Sequence, residues 1–92
     1  MIKSFRNKAL ANFAETGQTR RLQVPDHARR IARIIAALDA ARRPGDMDVP
    51  GYVFHPLKGQ PQRYSVRVTG NWRITFGFDG EDATNVDLED YH

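Results

Sequence analysis

The sequence predicts an α+β fold in which two N-terminal helices pack on one face of a mainly antiparallel sheet. Three observations carry this reading. Apolar residues recur at helical spacing in the first half of the chain, the period changes to two in the second half, and turn dipeptides divide that second half into hairpins. A chain of 92 residues suits one core and one domain, residues 1–92, and shows no internal repeat or linker.

Ile2 to Phe5 alternate apolar and polar and predict a short first strand. Asn7 suits a helix N-cap, because its side-chain oxygen can accept from an amide that the first turn leaves unpaired. That helix carries Leu10, Phe13 and Ala14 on one face and stops at Gly17, which tolerates the left-handed conformation of a C-terminal cap. A second helix is predicted from Pro25-Asp26 to about Arg43. Proline lacks an amide that the first turn does not need, and aspartate complements the positive end of the dipole. Ala28, Ile31, Ile34, Ile35, Leu38 and Ala41 form its apolar stripe, while Arg29, Arg30 and Arg33 fall mainly on the other side. Pro44-Gly45 ends it.

From Tyr52 onward the pattern is that of strands, the first of which is expected to end at His55. Tyr64, Val66 and Val68 alternate with Ser65, Arg67 and Thr69; Trp72, Ile74, Phe76 and Phe78 alternate with Arg73 and Thr75. Gly70-Asn71 and Asp79-Gly80 are turn dipeptides, and a last strand is expected around Ala83 to Leu88. Both helices must bury their stripes on the one large apolar sheet face, which leaves the other face polar and open. The predicted core is Ile31, Ile34, Ile35, Leu38, Val66, Trp72, Ile74 and Phe76.

Composition excludes several classes. Apolar content of 40% with 27% charge is that of an ordinary globular chain. Cysteine is absent, which rules out disulfides and thiolate metal sites and fits a reducing cytosol. The basic N-terminus runs into no apolar signal segment, and the run Ile34 to Leu38 is far short of the ~20 residues that span a bilayer. A cytoplasmic protein without membrane contact is therefore expected. The net charge of +3 divides unevenly: residues 1–43 carry ten Lys/Arg against three Asp/Glu, and residues 44–92 carry four against eight. That polarity fits either a surface for nucleic acid or the ribosome, or a solvated basic helix.

Period two places Arg67 and Arg73 on the polar face, as neighbours across the Gly70-Asn71 hairpin. Two adjacent guanidiniums repel, and an anion such as a phosphodiester between them relieves the repulsion; alternatively both point into water or pair with Asp87 and Glu89. His55 and Lys58 are expected at the edge of that face, and Asp90, Tyr91 and His92 close the sequence. Metal-free RNA cleavage needs such groups: a base for the 2′-hydroxyl proton, an acid for the leaving 5′-oxygen, and cations for the phosphorane. Histidine serves either proton role near neutral pH. His27, on the basic helix, is read as structural or solvent-facing. A metal site is not expected, because the histidines lie 28 and 37 positions apart with no H-x-x-x-H spacing. Phosphate loops and nucleophile elbows are absent, and two helices with so much sheet do not fit a helix-turn-helix reader.

The segments His55-Pro56-Leu57-Lys58-Gly59, Tyr64-Ser65-Val66-Arg67-Val68, Asn71-Trp72-Arg73-Ile74-Thr75-Phe76 and Glu89-Asp90-Tyr91-His92 resemble the HigB toxins of the RelE-like superfamily. The opening Ile2-Lys3-Ser4-Phe5 and Gly17 agree, so the resemblance covers essentially the whole chain. It implies a microbial RNase fold and a ribosome-dependent toxin that cuts mRNA in the A site with no cofactor. It also implies a HigA-like helix-turn-helix antitoxin, with operator DNA bound only through the complex. By this resemblance His55, Lys58, Arg73, Asp90, Tyr91 and His92 are catalytic, and Arg67, Arg73 and Lys58 bind RNA. His55 and His92 share proton transfer, with the division between acid and base left open. Two departures from the family pattern are Thr69, where many relatives have asparagine, and Arg63, where glycine is common; the Pro61-containing loop bears on access to Lys58. The competing functions are a non-catalytic RNA- or ribosome-binding module and an antitoxin-binding transcriptional co-repressor.

Overall fold

Asn7 and Gly17 bracket the first helix as their side-chain and backbone chemistry dictates. In the computed structural model, which describes residues 1–91, helix α1 spans Lys8–Thr16. The Asn7 side chain accepts from the Leu10 amide at 3.0 Å, and Gly17, at φ 77°, donates its amide to the Phe13 carbonyl. The second helix is shorter than expected. Pro25–His27 forms a single 3-10 turn, α2 proper spans Ala28–Ala40, and Ala41 leaves it with extended backbone. Arg42 and Arg43 lie beyond it, before a second 3-10 turn at Pro44–Met47, where the Arg42 amide donates to the Asp46 carboxylate at 3.0 Å.

Four antiparallel strands follow in the order of the chain: β1 (His55–Leu57), β2 (Arg63–Thr69), β3 (Trp72–Asp79) and β4 (Asp82–Asp90). His55 begins the first strand rather than ending it, and the second hairpin turns at Gly80-Glu81, one residue later than expected. The N-terminal segment does not become a strand. It runs parallel to β4 through two isolated bridges, Ile2 to Ala83 and Phe5 to Val86, with Lys3 and Arg6 amides donating to the carbonyls of Ala83 and Val86. An ion pair between Lys3 and Asp79 at 3.2 Å adds to this attachment.

One apolar cluster joins Leu10 and Phe13 of α1, Ile31, Ile34 and Leu38 of α2, and Val66, Ile74, Phe76, Val86 and Leu88 of the sheet. The period-two assignment holds: Val66 pairs with Ile74, Ile74 with Leu88, and all three side chains are buried. Ile35 and Trp72, expected in the core, are only partly buried at its margin, whereas Met47, from the turn after α2, is fully enclosed. Met47 gave no periodic signal, because a single 3-10 turn is too short to show a period.

Arg30 has a role that its place on a polar helix face hides. Its guanidinium reaches over the end of the sheet, donating to the Arg67 carbonyl from Nε at 3.3 Å and Nη2 at 2.9 Å, and to the Gly51 carbonyl at 2.7 Å. It also sits 5.4 Å from the centroid of the Tyr52 ring. The Tyr52 carbonyl in turn accepts from the Arg67 amide at 2.7 Å. Arg30 thus ties α2, the segment entering β1, and the bulged part of β2 into one unit.

Candidate active site

Strand register decides which side chains share the face away from the helices. Arg67 pairs directly with Arg73, and Arg73 with Glu89; the neighbouring row runs His55, Ser65, Thr75, Asp87. Every one of these residues has the parity opposite to Val66, Ile74 and Leu88, so all point away from the core. His55 and Arg67 are exposed, while Arg73 is half-buried and donates from Nη1 to the Gly70 carbonyl at 3.0 Å.

This face is not simply open. Ser65 is 3% exposed and Thr75 0%, although both turn away from the helices. Arg63 reaches across, with Nη2 donating to Thr75 Oγ1 at 3.0 Å and to the Asn85 carbonyl at 2.9 Å. Thr75 passes the chain on by donating to the Glu89 carboxylate. At Gly77 an added Cβ would lie 3.1 Å from Thr84 Oγ1 on β4 and 3.6 Å from the carbonyl of Gln62, just before β2. A side chain at position 77 would therefore crowd Thr84, whereas the Gln62 carbonyl would stay in ordinary contact. Gln62 Nε2 pins the segment between β1 and β2 by donating to the Leu57 carbonyl at 2.9 Å and the Arg63 carbonyl at 2.8 Å.

Two concavities result. One, of about 290 Å³, is lined by Val53, His55, Leu57, Ser65, Arg73 and Tyr91. The other, of about 350 Å³, holds Lys58 together with Arg6, Arg63 and Glu89, and shares Leu57 and Tyr91 with the first. Tyr91 stands between them, 44% exposed, its amide donating to the Asn71 carbonyl at 2.8 Å. The structure thus brings His55, Arg73 and Tyr91 together, sets Arg67 opposite Arg73, and puts Lys58 next door. It does not bring Asp90 to this face: Asp90 pairs with Trp72 and shares the parity of Leu88, while Glu89 takes the outward position. His92 lies outside the described residues. Among the described residues no three His, Asp or Glu side chains group as a metal site requires.

A family model described as RelE-like toxin of type II toxin-antitoxin system HigB matches residues 3–92. The chain belongs to the HigB-like toxin family. It is 42% identical to the endoribonuclease HigB of Proteus vulgaris, over the full length of both chains. The two helices and four-stranded antiparallel sheet agree with the RelE-like fold that the resemblance implied. No helix among the described residues is long and apolar enough to cross a membrane.

In this HigB-like chain, sequence reasoning overlooked Arg63, Thr75 and Glu89 as parts of the site. The signal for two of them was present, since Thr75 and Glu89 share the outward parity of Arg67 and Arg73. Arg63 lies on that parity as well, but its reach to Thr75 and Asn85 depends on cross-strand geometry. Burial first, and then the nearby Arg6 charge, push the Arg63 guanidinium down from its ordinary value, while Glu89 and Asp87 oppose that shift.

Proposed function

We propose that this toxin is a single-domain endoribonuclease that cuts mRNA in the A site of the ribosome, with all proton transfer and charge stabilisation supplied by side chains. The observation that carries the proposal is the concavity where His55, Arg73 and Tyr91 meet, with Arg67 opposite Arg73. Membership of a toxin family and full-length identity to a relative named as an endoribonuclease support it.

The chemistry assigned to this set is transesterification. A base takes the 2′-hydroxyl proton, the 2′-oxygen forms a bond to phosphorus, the bond from phosphorus to the 5′-oxygen breaks, and an acid protonates that oxygen. The products are a 2′,3′-cyclic phosphate and a 5′-hydroxyl end. His55 and His92 share the two proton roles, Lys58 and Arg73 hold the phosphate and stabilise its developing charge with Arg67 opposite Arg73, and Tyr91 orients a base or the backbone. Asp90 is assigned a supporting part in that proton transfer from the end of β4, where Glu89 takes the outward position. Type II toxins act against a cognate antitoxin; here that partner is proposed to be a HigA-like helix-turn-helix protein, and the site of action the cytoplasm.

Purified protein, given mRNA with and without programmed ribosomes, tests this directly. New 5′-hydroxyl ends are expected only with ribosomes, and they should persist after EDTA treatment at a magnesium level that keeps ribosomes intact. Cleavage of free mRNA at the same rate refutes ribosome dependence. A folded protein that yields no new ends on ribosomes leaves the non-catalytic binding module standing instead.

A further inference from the structure

The second concavity contains two cations that the cleavage scheme does not use. Arg6 comes from the N-terminal segment and Arg63 from β2, and with Lys58 they face one carboxylate, Glu89, which already accepts from Thr75. The Arg6 amide is held on the Val86 carbonyl at 2.8 Å, which fixes this residue at the β4 edge of the face. Across from it, the Lys58 segment is pinned by Gln62, so the wall exists before any ligand arrives.

We propose that this concavity is an RNA subsite for the phosphodiester adjacent to the one being cut, with Arg6 and Arg63 as its binding residues beside Lys58. The inference rests on the proposed RNA substrate. A polymer whose scissile phosphate lies by His55 and Arg73 must continue past Tyr91, and the adjoining cavity shares Leu57 and Tyr91 with the first. Arg6 and Arg63 also repel each other, which adds to burial, the larger cause, in lowering the Arg63 pKa. A phosphate between them converts that repulsion into two attractions, and guanidinium forks suit its oxygens. The substrate of the subsite is a backbone phosphate rather than a base, since the lining supplies cations and only one ring, which the first concavity shares.

The test uses a pentanucleotide RNA with a single 2′-deoxyribose at the cleavage position, titrated onto the full-length protein at several salt concentrations. Arg6→Ala is expected to fold normally, because only the main chain of Arg6 bonds to β4, and to weaken binding by about 5–10-fold, as loss of one partly exposed charged contact does. Its dependence of log K on log salt should fall by ~0.7, the value for one phosphate contact on a single strand. Replacing the adjacent phosphate by a neutral methylphosphonate should weaken binding to the unaltered protein by a similar factor and leave Arg6→Ala unaffected, a readout that does not depend on any protein variant folding. Arg6→Lys should recover part of the loss.

Equal affinity and equal salt slope for Arg6→Ala and the parent protein overturn the subsite, as does absence of binding by the parent protein. Loss of Arg6 dependence together with normal cleavage on ribosomes refutes the subsite and spares the endonuclease reading. Arg6-dependent binding without cleavage does the reverse.

Discussion

Replacing Arg30 by alanine should destabilise the protein far more than replacing either neighbouring arginine of α2. The guanidinium satisfies two carbonyls, those of Arg67 and Gly51, and stacks on Tyr52 at 5.4 Å. Hydrogen bonds from a charged donor contribute ~1.5–3 kcal/mol each, and the lower end applies because Arg30 is only half-buried. The ring contact adds ~0.5 kcal/mol, while ordering a long side chain subtracts ~1 kcal/mol. The expected loss is about 2–3 kcal/mol, or about 10–20 °C in Tm for a domain of this size. Urea unfolding of Arg30→Ala should show a lower midpoint at an unchanged slope. Arg29→Ala and Arg33→Ala, both on exposed positions, should stay within ~0.5 kcal/mol of the parent. Arg30→Lys should fall between, since a single ammonium cannot reproduce the fork. An Arg30→Ala protein as stable as Arg33→Ala would refute the tie between α2 and the active-site strand.

Arg73→Ala should lower cleavage on ribosomes by ~10²-fold or more, the cost of one transition-state charge contact, yet change stability little. It gives up one bond to the Gly70 carbonyl and relieves repulsion with Arg67. Thr75→Val keeps the shape of a fully buried residue but removes the hydroxyl that links Arg63 to Glu89, so urea unfolding should show a loss of ~1–2 kcal/mol. Asp46 is held below its ordinary value of 3.8, chiefly by the Arg42 amide. A depressed carboxylate stabilises the fold above its unfolded pKa and ceases to do so as pH falls through the folded value. Asp46→Asn should therefore flatten the acid limb of stability below about pH 4, and an unchanged limb would remove this residue from the account.

Much of this molecule was legible without coordinates because the relevant physics is local. The Asn7 cap and the Gly17 stop are properties of side chains and backbone within a few residues. Strand parity is equally local: burying Val66 and Ile74 turns Arg67 and Arg73 outward whatever else happens, and the hairpin between them is only two residues long. The same reasoning, carried to the end of β4, assigns Asp90 the side of Leu88 and gives Glu89 the outward position. That inference was available from the sequence.

The tertiary structure decided what depends on distant segments meeting. The irregularity in β4, where Asn85 adopts φ 49°, resets the parity between Ala83 and Val86, so both are buried although three residues apart. The N-terminal segment pairs with β4 through two bridges instead of entering the sheet as a strand, and this carries Arg6 to the second concavity. No period or motif announces that Arg30 spans from α2 to the carbonyls of Gly51 and Arg67, because an exposed arginine on a helix reads the same whether it meets water or a backbone 37 residues away. Sequence determined which face of each strand and helix is apolar, since that follows from fixed periods along the chain. The fold alone determined which polar groups from separate elements come within bonding distance, since that follows from the packing of those faces against each other.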